Sequence, residues 1–133
     1  MAEGGRKTDQ ALYYLHLQPN DESFIAGGIY QPPAAVLAKV RQEIDYNAGE
    51  LKSITDAPDF KRYFSEIQGD TLKRAPQGYD PDHPNIALLK LKDYLVMHKL
   101  TDKEVSEGNF PRLAVKVFHS MQPFLEYLNV AVS

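Results

Sequence analysis

Ala11-Leu12-Tyr13-Tyr14-Leu15-His16-Leu17 and Ser23-Phe24-Ile25-Ala26-Gly27-Gly28-Ile29-Tyr30 are the two stretches on which the fold turns. The first is a short run of aromatic and aliphatic side chains, the pattern of a strand buried on both faces. Between the two, Pro19-Asn20-Asp21-Glu22 is turn chemistry: proline presets one dihedral, and Asn and Asp tolerate left-handed backbone. The pair therefore reads as a hairpin. Gly27-Gly28 inside the second strand marks a bulge or a close approach by a ligand or another backbone. Packing against a helix is the preferred cause.

Working outward, Pro32-Pro33 ends the strand and opens a helix, because proline is tolerated in a first helical turn. Val36, Leu37, Val40 and Ile44 fall on one face of it, with Lys39, Arg41, Gln42 and Glu43 mostly off it. Asn47-Ala48-Gly49 is expected to close that helix, and a short helical piece follows over 50–54. Thr55-Asp56-Ala57-Pro58 starts another, with Phe60, Tyr63, Phe64 and Ile67 on one side and a stop at Gly69. A short helix is predicted near 85–90, opened by Asp82-His83-Pro84, and a third strand over 93–99. Thr101-Asp102-Lys103-Glu104 has capping-box form. Asn109 and Pro111 open a last helix, whose stripe is Leu113, Val117, Met121, Leu125 and Leu128 and whose expected kink is at Pro123. Helices following a strand pair indicate an α+β fold: a small, mainly antiparallel sheet of three or more strands packed by four to five helices.

The 133 residues suit one domain with a core of its own. Residues 1–10 read as a flexible lead-in and 11–133 as a single α+β domain. A formal charge of -3 gives no global pull towards nucleic acid. The absence of cysteine removes disulfides, thiol nucleophiles and thiolate metal sites. No apolar run approaches the roughly 18–20 residues of a membrane span, and residues 1–10 lack a signal-peptide core. The expectation is a soluble, cytoplasmic protein with no membrane partner.

Leu72-Lys73-Arg74-Ala75-Pro76-Gln77-Gly78-Tyr79-Asp80-Pro81-Asp82-His83-Pro84 is the densest and stiffest collection of reactive groups. Arg74 offers a bidentate fork to phosphate or carboxylate, Lys73 adds a point charge, and Tyr79 can donate to the same oxygen. Asp80 would hold the loop. His83 beside Asp82 is the candidate for proton transfer, its unperturbed pKa lying near neutrality. The bland alternative is turn and cap chemistry, with Arg74 paired to Asp80 or Asp82. No metal site is expected, since Pro81 and Pro84 limit how Asp80, Asp82 and His83 converge. No cofactor is expected either; nucleophilic catalysis has little support without Gly-x-Ser-x-Gly, and the phosphate-binding Gly-Lys-Ser/Thr loop is absent. His16 and His98 would line one sheet face if their strands pair, as satisfied, partly buried side chains. His119 is isolated. Tyr13, Tyr14 and Tyr30 near Arg6 and Lys7 could stack bases, but aromatics in strands are more often core, so nucleic acid is disfavoured.

Tyr13 to Leu17, Ala26-Gly27-Gly28-Ile29-Tyr30, Arg41-Gln42-Glu43-Ile44, the 72–84 motif, Leu100-Thr101-Asp102 and Lys116 to Asn129 together resemble a conserved bacterial and fungal family of hypothetical proteins, domain-of-unknown-function family 2461. The resemblance runs from about Ala11 onward and matches the family's middle and C-terminal part. It implies a longer protein with helices and a further extended segment upstream. It implies no activity, cofactor or catalytic residue. From the residues, the expected function is binding of an anionic small molecule at the Lys73-to-Pro84 loop, as a binding domain or part of an enzyme. The alternative is a non-catalytic structural or protein-interaction module with that loop as a rigid scaffold.

Overall fold

The computed structural model describes residues 10–133. The lead-in expected over 1–10, and Arg6 and Lys7 with it, falls outside the described residues except for Gln10. Strands β1 (Leu12–His16) and β2 (Ser23–Ile29) form the hairpin, and β3 (Tyr94–Leu100) pairs with the other edge of β2. All pairings are antiparallel, with Tyr14 opposite Ala26 and Ala26 opposite Met97. Asn20 and Asp21 both adopt positive φ (68° and 59°), the tight turn that matches strand twist. Their amides donate to the two carboxylate oxygens of Asp102, each at 3.0 Å, so the turn is tied to the first residue of α4.

The helices are α1 (Ala34–Asp56), α2 (Pro58–Tyr63), α3 (Ile86–Leu89), α4 (Asp102–Ser106) and α5 (Phe110–Val132). They cover one sheet face. Ile25, Ile29, Tyr94, Val96 and Leu100 point into a core that α1 fills with Val36, Val40, Ile44 and Leu51. Val117, Met121, Phe124 and Leu128 complete it from α5. A Cβ on Gly27 would overlap the Met121 sulfur, so this glycine is where the helix lies closest to the sheet, as its sequence context suggested. Gly28 meets a different constraint: its φ is 131°, and a Cβ would overlap the carbonyl oxygen of Tyr94 on β3.

Three expectations change. β1 is not buried on both faces; every one of its residues is exposed, and Tyr13, Tyr14 and Tyr30 are 53%, 49% and 65% exposed instead of core. The expected closure at Asn47 takes the form of a kink: Asn47 leaves helical geometry (φ -130°, ψ 43°) and the two helical pieces on either side run on as one 23-residue element, with the single Tyr127 hydroxyl proton shared between the carbonyls of Glu43 (3.1 Å) and Asn47 (3.0 Å). The aromatic helix stops at Tyr63, because Phe64 turns extended, although Phe60 and Phe64 both reach the core. The capping box at Thr101 and Glu104 forms as its spacing requires. Asn109 occupies the cap position of α5 without a side-chain cap bond, and α5 runs through Pro123 on its exposed side.

Asp93 is buried at 4% exposure and accepts from two backbone amides, Gln31 at 2.6 Å and Asp70 at 3.2 Å. Its carboxylate thus fastens both the exit of β2, where Gln31 has φ 48°, and the strip entering the 72–84 loop. That strip is held at two further points: Gln68 bridges Leu95 on β3, and Thr71 bridges Leu91 just before it. The loop therefore starts from a fixed point.

Candidate functional site

The loop is a chain of turns. Pro76 is buried and its carbonyl accepts from Tyr79 at 3.1 Å; Gly78 supplies the positive φ (92°) that the third position of such a turn demands. Asp80 then accepts twice, its side chain from the Asp82 amide (2.8 Å) and its carbonyl from the His83 amide (2.9 Å). Both bonds lie within the loop itself. His83 finishes the run. Its Nδ1 accepts from the Asn85 amide at 2.9 Å, which leaves the ring proton on Nε2 to be donated to the Asp45 carboxylate at 2.7 Å. Both ring nitrogens are engaged, and the partner is Asp45 on α1 rather than the neighbouring Asp82.

Against this loop lies a second stripe of α1. Ala38, Arg41, Gln42, Asp45 and Tyr46 repeat at helical spacing beside the core stripe, and with Pro76, Gln77, Gly78 and Tyr79 they line a cleft of about 530 Å³. Arg41 is its anchored cation. Nε donates to the Leu89 carbonyl at 2.7 Å and Nη2 to that of Leu91 at 3.1 Å, satisfying carbonyls left over where α3 ends. A guanidinium carries five N–H groups, so these two bonds leave donors over.

Two tyrosines flank that cation. Burial pushes the Tyr79 hydroxyl above the ordinary tyrosine value, and the Asp45 carboxylate pushes the same way, while Arg41 opposes both. Burial dominates at Tyr94 also and raises it well above the tyrosine range, against the pull of Arg41. Tyr94 donates to the Leu88 carbonyl at 2.7 Å. Tyr79 is thus a neutral donor at the cleft wall.

Of the six residues singled out from sequence, only Tyr79 lines this cleft. Lys73, Arg74, Asp80 and Asp82 are exposed. Among the described residues neither Lys73 nor Arg74 has a side-chain hydrogen bond or ion pair, so the pairing of Arg74 with Asp80 or Asp82 does not form. His83 stands behind the cleft, bracing Asp45. Sequence reasoning noted Arg41 and Gln42 only as lying off the apolar face of α1 and did not single out Asp45 or Tyr46. The readable signal was a second stripe at i, i+3, i+4, i+7 and i+8.

His16 and His98 fall on opposite sheet faces, since His16 opposes Phe24 and His98 opposes Ile25. Each is satisfied, His16 by Gln18 at 2.8 Å and His98 by the Tyr63 carbonyl at 3.0 Å. Among the described residues no cluster of three or more metal-ligating side chains occurs. A larger cleft of about 690 Å³ lies between the second half of α1, residues 65–69 and α3. Its lysines, Lys52 and Lys61, are both paired with Asp56 at 3.7 and 3.8 Å, which leaves it less charge to offer a ligand. No helix among the described residues is long and apolar enough to cross a membrane.

No curated protein and no solved structure matches the chain. A family model does match, and its range corrects the expected extent of the resemblance, since it begins at residue 1 instead of near Ala11. With residues 1–127 of 133 covered by the model for the conserved hypothetical protein family DUF2461, the chain belongs to that family.

Proposed function

We propose that this domain binds an anionic small molecule in the cleft between α1 and the 76–79 turn. The observation that carries the reading is Arg41, fixed by two backbone carbonyls with N–H groups to spare, next to the neutral Tyr79 hydroxyl. A cation held in place loses little side-chain freedom on binding, and a carboxylate or phosphate oxygen accepts from both groups at once. Gln42 adds an amide at the same wall. Lys73 and Arg74 act from outside the cleft, as unpaired charges on its loop that attract the anion over a Debye length. Asp45 repels a bare anion. The ligand class it favours is a small acid that also carries a hydroxyl or amino group to donate to that carboxylate. His83 serves as a brace for Asp45, not as an acid or base, because neither ring nitrogen faces the cleft free.

The test is a thermal-shift panel of inorganic phosphate, sugar phosphates, nucleotides, and simple and hydroxylated carboxylic acids. A ligand at about 100 times its dissociation constant adds roughly 2.7 kcal/mol, a shift of several degrees. Tyr79→Phe and Gln42→Ala should each weaken the responding acid by about tenfold or more. Arg74→Ala should weaken it chiefly at low salt and leave the melting point of the free protein unchanged. Silence across the panel, or a response indifferent to Tyr79 and Gln42, removes the cleft from consideration. The second reading, an interaction module, is favoured by one observation: the exposed apolar side chains of β1.

A further inference from the structure

Arg41 and Asp45 carry opposite charges one turn apart on α1, the i, i+4 spacing at which such side chains ordinarily meet. Here they do not pair; no ion pair among the described residues joins them. Each is held elsewhere, and by the same segment. Arg41 donates from Nε and Nη2 to the Leu89 and Leu91 carbonyls, and Asp45 accepts from His83 Nε2 through Oδ1. Residues 83–91 thus keep the two charges apart on the wall of the cleft that both line.

The Asp45 charge is not cancelled by its partner. His83 Nδ1 accepts the Asn85 amide, so the ring gives Asp45 an N–H without a positive charge. Among the described residues that line the cleft, Arg41 and Asp45 are the only ionic side chains. Burial raises the Tyr79 hydroxyl most; Asp45 adds to that and Arg41 opposes it, so this hydroxyl lies within the field of both charges. The cleft therefore offers one fixed cation and one fixed anion, with a donor between them in electrostatic terms.

We propose that the cleft takes a zwitterionic amino acid, its carboxylate on Arg41 and Tyr79 and its ammonium on Asp45, in preference to the hydroxy acid of the same shape. The inference rests on the anion-binding reading above and narrows it from acids with any donor to acids with a charged amine. A hydroxyl meets Asp45 through one neutral donor and leaves the carboxylate charge in place. An ammonium makes a bond charged on both sides, roughly twice as strong, and cancels that charge. Both protein charges are already positioned, so little is left to order on binding. Tyr46, next to Asp45 and 71% exposed, adds an aromatic side chain to the same cleft, and ammonium groups are attracted to such rings. Asp45 is on this account the residue that sets specificity.

The test is calorimetric titration of the full chain at neutral pH with matched pairs that differ only in amine against hydroxyl. Alanine and lactate, β-alanine and 3-hydroxypropionate, and 4-aminobutyrate and 4-hydroxybutyrate also vary the spacing between the two groups. At the spacing that fits, the amino member is expected to bind about tenfold or more tightly than its hydroxy partner. Asp45→Asn removes the charge and keeps an oxygen for His83 to donate to, so the melting point should hold. In that variant the amino member should weaken by about tenfold while the hydroxy member binds as well as before or better. Where Asp45→Asn does not fold, the N-acetyl derivative of the preferred amino acid removes the ligand's charge instead and should lose the same factor on the wild-type chain. Equal affinity within every pair, with binding that still needs Tyr79, overturns the zwitterion and leaves the anion reading standing. A preference that survives both Asp45→Asn and N-acetylation does the same. Silence of every pair, with a response to phosphates or nucleotides that needs Tyr79, also overturns the zwitterion alone, and silence there too overturns both.

Discussion

Gly28 is the position where one added methyl group should cost most. Its φ of 131° lies in a region that L side chains rarely adopt, and strain there costs about 1–3 kcal/mol. The new Cβ would also overlap the Tyr94 carbonyl oxygen and sit 2.9 Å from the Tyr94 carbonyl carbon and 3.0 Å from the Leu95 Cα. These are backbone atoms of the strand to which β2 is paired, so relief requires opening the ladder; overpacking of this kind adds about 1–3 kcal/mol. Gly28→Ala is therefore expected to lose about 2–6 kcal/mol, a large part of the roughly 5–15 kcal/mol that a domain has. The melting point should fall by roughly 7–20 °C. Gly78→Ala is the internal control. Gly78 also has positive φ, 92°, but a Cβ there meets nothing within 4 Å, so it should cost only the backbone strain, about 1 kcal/mol. Urea unfolding of both variants, with unchanged m, measures the difference directly. Equal losses at the two glycines would refute the argument that the β2–β3 approach, rather than φ alone, demands glycine at Gly28.

Tyr127→Phe should cost about 1–2 kcal/mol, since it deprives the carbonyls of Glu43 and Asn47 of their donor at the kink of α1; hydrogen exchange should quicken around the kink, and unchanged exchange there would count against the role. Alkaline stability should follow the buried tyrosines. Burial raises Tyr94 and Tyr127 well above the ordinary value of 10.0, and the Glu43 carboxylate adds to the effect at Tyr127. Below about pH 10 both states keep these protons and stability is indifferent to them. Above it the unfolded chain releases protons that the native state retains, so unfolding becomes easier as pH rises. Near-ultraviolet tyrosinate absorbance should therefore show an early phase from the exposed tyrosines and a late one coincident with loss of circular dichroism; a single smooth titration completed in the folded state would contradict it.

The legible part of the fold was whatever local chemistry decides alone. The turn at Asn20-Asp21, the capping box at Thr101 and the apolar stripe of α5 follow from side chains acting within a few residues of themselves. The misread parts depend on what lies across from them. A run such as Leu12 to Leu17 looks the same whether it is buried on both faces or lies where no described residue covers it, so the sequence pattern could not show the exposure of β1. Asn47-Ala48-Gly49 looks like a helix end because asparagine and glycine commonly stop one. Here a tyrosine 80 residues away supplies the missing donor, and the chain continues as a bent helix.

The site was half legible for the same reason. A cluster close in sequence, Lys73 to His83, announces itself, and two of its members make local or bracing bonds: Asp80 within the turn and His83 to Asp45. The cation that lines the cleft sits more than thirty residues earlier, off the apolar face of its helix. Arg41 reaches the Leu89 and Leu91 carbonyls only because α3 ends beside α1, a juxtaposition that no local pattern records. This double duty has a consequence for any mutational study. Arg41→Ala would remove the proposed anion donor and two backbone bonds together, so lost binding in that variant would not separate a site from a scaffold. Tyr79 and Gln42 can be changed without touching those carbonyls. The case for the cleft therefore rests on them, and an acid whose affinity ignores both hydroxyl and amide does not bind there.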